Sequence, residues 1–489
     1  MEQELKLRLL DPTAWEQMLA HPLLALQDTP AISMHAIYYD TPDATLQRAG
    51  LAYRVRREGE RWVATLKGEG SAAGGLHQRP EWNVAVDDAR PCLTVFTESP
   101  VQAVLEALRD RPLLAILETE FQRIEKSVSW EDGSRILLAA DRGEIRANAA
   151  REPILELELE LVEGDPAAVL TLGAALCRDL PLLPDAQSKM LRGLLLAGLL
   201  PEKAAPRPKA VRLRRHDDAG EALAALMLAH CHQALAELGA CLAAPVAAEP
   251  FHQLRKTIRS LRSLLRFSRP LDPEKRLATL RRELANWFHG QNTRRDYDAL
   301  GLYWAQLRDE MDITPEPLAG FLRDQAKAAQ DEVELRAVVA LLLSLWALLL
   351  RHGLASSQPL QDFCEGRFRQ WDQRVRRAHQ AGEDVASLHA LRIQIKNLRY
   401  AALAMSPLWP GQDSKPLLKV LTSLQESLGG IRDAQMALER CSPLAHGRKA
   451  LLAYEAGLLL GYLQARRSKH LKKCRKYWER WRTTARPWD

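Results

Sequence analysis

Paired cysteines are missing. The seven present (Cys92, Cys177, Cys231, Cys241, Cys364, Cys441, Cys474) are odd in number, scattered and never in a Cys-x-x-Cys spacing. That argues against a disulfide framework and a thiolate zinc site, and suits a reducing compartment. No basic and apolar leader follows Met1-Glu2-Gln3-Glu4, and the longest uncharged apolar run, Ala337 to Leu350, falls short of a bilayer and suits a deeply buried helix. The expectation is a cytoplasmic protein without a membrane partner. Glycine-rich P-loop, nucleophile elbow and kinase signatures are also absent. Net charge says little: 68 Lys+Arg against 62 Asp+Glu leave +6 over 489 residues, too mild to imply nucleic acid or a membrane surface. With 47% apolar and 27% charged residues, the chain is a folded one, of two to four domains at roughly 100–200 residues each.

The distribution of residues is more informative than the totals. Three prolines between Pro201 and Pro208 mark a linker. Upstream, period-two alternation predicts strands at Glu2-x-Glu4-x-Lys6, Tyr53 to Arg56, Trp62 to Lys67, Glu81 to Val86 and Leu155 to Leu161. Downstream, Leu254, Ile258, Leu261, Leu264 and Leu265 recur at helical spacing. The fold class is α+β multidomain, with domain 1–200, linker 201–215 and an all-α domain 216–489. Residues 1–200 hold 31 acids and 21 bases, a net of −10, and the rest 31 acids and 47 bases, a net of +16. Such asymmetry points to a polyanion-binding module joined to something else.

The helical half repeats. Phe251-His252-x-Leu254-Arg255-x-x-x-Arg259-x-Leu261-Arg262 returns 137 residues later as Leu388-His389-x-Leu391-Arg392-x-x-x-Lys396-x-Leu398-Arg399. Arg295-Asp296 and Pro270 likewise meet Arg432-Asp433 and Pro407. On a helix, His252, Arg255, Arg259 and Arg262 share one stripe, and His389, Arg392, Lys396 and Arg399 another. Stacked like charges repel, so the stripes favour a bound anion. Aromatics for base stacking are not interleaved with them, and a backbone-only polyanion fits better than nucleic acid. These residues resemble the CHAD family, the conserved histidine α-helical domain. The resemblance covers about 216–485 and implies two pseudo-symmetric four-helix bundles that bind inorganic polyphosphate in a basic groove.

Alternate residues of a strand share a face. Some strands here present only acids and others only bases, as in Arg54 with Arg56 and Glu156 with Glu158 and Glu160. A solvated sandwich face explains such sorting poorly. Strands closed into a barrel with these faces inward would need a highly charged ligand, such as triphosphate with a divalent ion. His77 has no second metal-spaced histidine and is expected in a polar loop.

Glu2-x-Glu4-x-Lys6, Gly74-Gly75-Leu76-His77-Gln78-Arg79-Pro80-Glu81, Glu152-Pro153-Ile154-x-Glu156-Leu157-Glu158 and Ser188-Lys189-x-x-Arg192-Gly193 resemble the CYTH domain of the triphosphate tunnel metalloenzymes over about 1–198. The resemblance implies a closed antiparallel eight-stranded tunnel barrel with flanking helices. It implies Mg2+ or Mn2+ on Glu2, Glu4, Glu156 and Glu158, catalytic roles for Glu2, Glu4, Lys6 and Lys67, and a phosphate path along Arg54, Arg56, Arg79, Arg123, Lys189 and Arg192. Asp141 and Glu81 are further inward acids. The expected activity is hydrolysis of inorganic triphosphate, with polyphosphate held by the helical domain in the cytoplasm or on polyphosphate granules. The alternatives are a non-catalytic polyphosphate scaffold and a tunnel enzyme acting on thiamine triphosphate or, as an adenylate cyclase, on ATP.

Overall fold

A computed structural model describes residues 2–97, 101–201, 211–243, 248–290, 292–312, 317–331, 336–409 and 414–489. Its strands are β1 (Glu2–Leu9), β2 (Ala31–Asp40), β3 (Ala52–Glu58), β4 (Arg61–Lys67), β5 (Leu76–Arg79), β6 (Glu81–Val86), β7 (Leu114–Ser129), β8 (Arg135–Ala147), β9 (Ala150–Glu163) and β10 (Leu182–Pro184). The helices are α1 (Trp15–Leu19), α2 (Thr45–Arg48), α3 (Gln102–Ala107), α4 (Ala167–Asp179), α5 (Lys189–Leu196), α6 (Ala219–Ala243), α7 (Ala248–Phe267) and α8 (Ala278–Gly290). They continue as α9 (Asn292–Met311), α10 (Pro317–Asp331), α11 (Ala337–His352), α12 (Leu360–Gln380), α13 (Val385–Ala404), α14 (Lys415–Ala445) and α15 (Ala450–Thr483).

The chain forms two compact units. One comprises Met1–Pro208, Cys231–Phe251 and Arg336–His352; the other Lys209–His230, His252–Leu335 and Gly353–Asp489. The first unit therefore differs from the contiguous 1–200 read from the sequence. The reason is apolar coverage: α4 is buried along most of its length, and α11, the run Ala337 to Leu350, packs against it. Gly173 of α4 faces Leu5, Leu159 and Leu343, so a methyl group there would stand 2.4 Å from Leu5 Cδ2. The linker expected over 201–215 falls largely on 202–210, outside the described residues.

Nine strands form one curled antiparallel sheet in the order β10-β1-β9-β8-β7-β2-β3-β4-β6, and β5 pairs with β1. Alternation sets its two surfaces. Leu5, Leu7, Leu157 and Leu159 are fully buried on the side that α4 covers, so Glu4, Lys6, Glu158 and Glu160 face the concave side. Tyr53, Val55, Ala64 and Leu66 pack outward under Leu46, Leu51, Phe96 and Leu105. Helix α5 is held against β7, β8 and β9, with Gly193 close to Leu117. It starts at Ser188, whose side chain accepts from the Leu191 amide, an N-cap of the usual kind.

In the helical unit, α7 and α13 span ranges offset by 385 − 248 = 137 residues. Each ends in a 3-10 turn built on a proline, Arg269–Leu271 and Ser406–Leu408, again offset by 137, because proline cannot extend a helix. Starts of α8 and α14 keep the same offset, 415 − 278 = 137. Helices α9, α10, α14 and α15 share a core of Leu300, Trp304, Leu318, Leu322, Met436, Leu459 and Leu463.

Candidate active site and anion cluster

The concave face of the sheet encloses a cavity of about 690 Å3 lined by Glu2, Glu4, Lys6, Arg54, Arg56, Lys67, Arg79, Glu81, Arg123, Glu158, Glu160 and Lys189. Ten of the twelve tunnel residues expected from the sequence thus come together. Glu156 and Arg192 do not line it.

Both belong to a network at the α5 end of the cavity. Arg192 donates to Glu152 at 2.7 Å, to Glu156 at 3.2 Å and to the Pro153 carbonyl at 2.5 Å. Its fork is therefore occupied by β9 and clamps α5 in place. Glu156, wholly buried, also meets Lys6 at 2.8 Å and contacts Lys189. Asp141, Glu156 and Glu158 offer oxygens within 4.8 Å of one another, a spacing suited to a metal. The Lys189 ammonium stands among them, 2.7 Å from Asp141 and 2.9 Å from Glu158. Arg123 adds a bidentate pair to Asp141, both bonds at 2.7 Å, and reaches Glu158 at 2.6 Å. Burial would raise the Glu156 and Glu158 carboxyls; Lys189 outweighs it in both, with Lys6 and Arg123, and holds them below their ordinary values. Protein cations already satisfy this triad, which makes it a poor place for a divalent ion.

The other acids are differently placed. In register, Glu4 of β1 stands opposite Glu160 of β9, a like-charge pair that destabilises a bare sheet. Burial raises all three of Glu2, Glu4 and Glu160. Glu2, hydrogen-bonded to Glu81, reaches about 8; Glu4 is raised further by Glu158 and Glu160 by Glu81. Lys67 partly compensates, 3.0 Å from Glu2 and 2.5 Å from Glu81. This excess of carboxylate is what a divalent cation relieves, so the donor set around Glu2 and Glu4 fits a hard metal ion.

Three residues gain roles the sequence did not give them. His77 lies on β5, buried, and not in a polar loop. Burial pushes its ring down to about 4, so it is neutral; Nε2–H donates to the Asp185 carbonyl at 2.9 Å and Nδ1 accepts from Arg79 at 3.0 Å. It thereby orients Arg79, and its place two residues before Arg79 on one strand face was the available signal. Tyr38 of β2 lines the cavity, and its hydroxyl accepts from Arg54 at 3.3 Å. Burial would raise that phenol, and Arg54 outweighs it. Asp141 is a carboxylate of the buried triad around Lys189.

In the helical unit the two stripes converge. Ser263 of α7 donates to the Asn397 carbonyl of α13 at 2.8 Å, and Arg259 donates to the Tyr400 hydroxyl at 3.2 Å. His252 and His389 stay exposed at the stripe ends, while Arg255 is buried. Burial and Arg295 lower Arg392 to about 10, and burial with Arg259 and Arg392 holds Lys396 well below an ordinary lysine. Buried Nε atoms of Arg259 and Arg392 have no hydrogen-bond partner among the described residues. Two buried aromatic rings, Phe288 of α8 and Tyr400, pack beneath the cations of the stripes. The repeated Arg-Asp pairs cross over, Arg295 meeting Asp433 at 3.3 Å.

Two domain families are found by comparison with known proteins. The CYTH domain model matches residues 1–194 and the CHAD domain model residues 225–442. An inorganic triphosphatase of Haemophilus influenzae is 32% identical over 165 residues, which are 32% of this chain and 44% of that protein. The match spans less than half the length of that curated relative. Among solved structures, a Hippeastrum protein described as an adenylyl cyclase with dominant triphosphatase activity is 21% identical, with TM-score 0.32, and covers 41% of this chain and 98% of its own. The CHAD domain of the plant Ricinus communis is also 21% identical, with TM-score 0.44, covering 56% and 96%. The chain joins a CYTH domain to a CHAD domain.

Proposed function

We propose that the first unit hydrolyses inorganic triphosphate to diphosphate and phosphate with Mg2+ or Mn2+, and that the helical unit binds inorganic polyphosphate. The observation that carries the enzymatic reading is one cavity lined by cations from β3, β5, β7 and α5 together with the Glu2 and Glu4 carboxylates, which burial raises and Lys67 and Arg79 only partly compensate. The name of the Haemophilus relative supports it. Glu2 and Glu4, with Glu160, are the residues we assign to the metal; Glu156 is better read as a structural anchor. A divalent ion bound there would polarise the phosphoanhydride and activate water. Arg54, Arg79 and Arg123 would grip phosphate oxygens, with His77 and Tyr38 fixing two of these forks. Lys67, held between Glu2 and Glu81, is placed to exchange a carboxylate partner for substrate.

A closed eight-stranded tunnel is part of this reading. Its support is that β5 pairs with β1 and β6 with β4 on either side of Pro80, so one bent strand would join the ends of the ring β1, β9, β8, β7, β2, β3, β4. The shared 137-residue offsets support two related helical bundles.

The test is phosphate release from triphosphate, thiamine triphosphate, ATP and long polyphosphate with Mg2+ or Mn2+. Triphosphate should be preferred, and Glu4→Gln should lower its turnover by about a hundredfold or more. Turnover unaffected by Glu4→Gln would remove the metal assignment, and no turnover of any substrate would leave a polyphosphate scaffold.

A further inference from the structure

Four cations gather on one phenyl ring in the helical unit. Phe288 is 4% exposed. The guanidinium carbons of Arg255, Arg262 and Arg259 lie 4.3, 4.7 and 5.4 Å from its centroid, and the Lys396 ammonium lies 5.6 Å away. Three of these come from α7 and the fourth from α13, so the ring sits where the stripes meet.

Like charges this close repel. Burial with that repulsion lowers Arg255 to about 9 and Arg262 to about 10, still charged near neutrality. Proteins usually answer such crowding with carboxylates. Here, among the described residues, none of Arg259, Arg262 and Lys396 is ion-paired with one, and Asp296 and Asp433 are engaged by Arg295. The negative face of the ring supplies attraction instead. The difference matters for binding. A carboxylate takes up the N–H edge of a guanidinium, whereas a ring takes its flat face and leaves the edge to another acceptor. Tyr400 adds a second ring, with Arg399 at 4.5 Å and Arg259 at 6.0 Å from its centroid, and its hydroxyl also accepts from Arg259.

We propose that Phe288 is a positioning residue for polyanion binding, holding Arg255, Arg259, Arg262 and Lys396 in one preorganised cluster in which the donors of Arg262 and Lys396, and those of Arg259 beyond its bond to Tyr400, are left to phosphate oxygens. This rests on the reading of the helical unit as a polyphosphate binder. Preorganisation lowers the ordering penalty of long cationic side chains when the ligand arrives.

The experiment compares the intact chain with Phe288→Leu, which keeps apolar bulk and removes the ring, and Phe288→Trp, which keeps a ring. Each is titrated with labelled inorganic polyphosphate of defined length across a salt series, with thermal melting alongside. Phe288→Leu should bind about tenfold more weakly and Phe288→Trp within about twofold of the parent. The slope of log affinity on log salt should change by less than about one, because the phosphate contacts are not lost in number. Parental affinity in Phe288→Leu overturns the proposal. Should that variant melt early, Phe288→Met replaces it. A second readout needs no polyphosphate: acetylation of Lys396, followed by mass spectrometry, should be faster in Phe288→Leu than in the parent or Phe288→Trp, because losing the ring face favours the neutral amine. If the parent fails to bind polyphosphate yet Lys396 labelling responds in this way, the polyphosphate reading falls and the positioning role stands. Labelling unchanged by the loss of the ring counts against that role.

Discussion

Lys189 is 7% exposed and reaches three carboxylates at once. Replacing it by methionine leaves Asp141, Glu156 and Glu158 short of positive charge, the first two fully buried, and removal of one partner from a buried ion pair typically removes about 3–5 kcal/mol. Urea denaturation of Lys189→Met should show a loss of that order, most of it recovered by Lys189→Arg. Glu2 has the opposite character. Its folded value of about 8 lies above the ordinary 4.5, so its contribution is fully present below about pH 4.5 and is lost as pH rises toward 8. Melting temperatures across that window should fall more steeply for the parent than for Glu2→Gln. If the metal assignment is right, added Mn2+ or Mg2+ should raise melting more at pH 8 than at pH 6. For Glu158, held low by Lys189 and Arg123 against burial, the sign reverses: stability is present above about pH 4.5 and lost in acid.

At the scale of elements, what could be read in advance depended on how many faces are buried. β1, β3, β4, β6 and the core of β9 alternate visibly because their apolar and charged faces differ. β8 was not legible. Its Ile136, Leu138, Ala139 and Ala140 are buried on both faces, so Ile136 to Ala140 reads as one apolar run without a period. The cavity residues were largely legible, since i, i+2 spacing fixes a shared face; Glu156 as a metal carboxylate and Arg192 on the phosphate path rest on the family resemblance, which does not reveal depth, and neither lines the cavity. Nor could it show that Phe288 reaches stripes 26 or more residues away. A close approach inside the sheet offers a check on the β7–β8 pairing: a methyl group on Gly143 would stand 2.1 Å from the Glu120 carbonyl oxygen and 2.4 Å from Phe121 Cα. Gly143→Ala should therefore cost about 1–3 kcal/mol, read as a lowered melting temperature.

Across the whole molecule, the +6 total conceals halves of −10 and +16, and charge and compactness divide the chain differently. The cationic stripes lie in the helical unit, yet α11 belongs with the acidic sheet unit and covers α4. A chain ending at Pro201 keeps every cavity residue but uncovers that helix. It should bind a hydrophobic dye and precipitate more readily than the intact chain, while a version that restores Arg336–His352 in trans as a peptide should be rescued. Failure of the peptide to improve solubility would count against the coverage argument.

The ammonium of Lys189 among Asp141, Glu156 and Glu158 means that the α5 end of the cavity carries a cation no chelator can remove. Under the proposed metal assignment, architecture and chemistry draw on different positive charges, one covalently tethered through α5 and one exchangeable near Glu2 and Glu4. If the metal assignment is right, EDTA should silence turnover while the chain stays folded, its melting temperature falling no further than that of the metal-free protein.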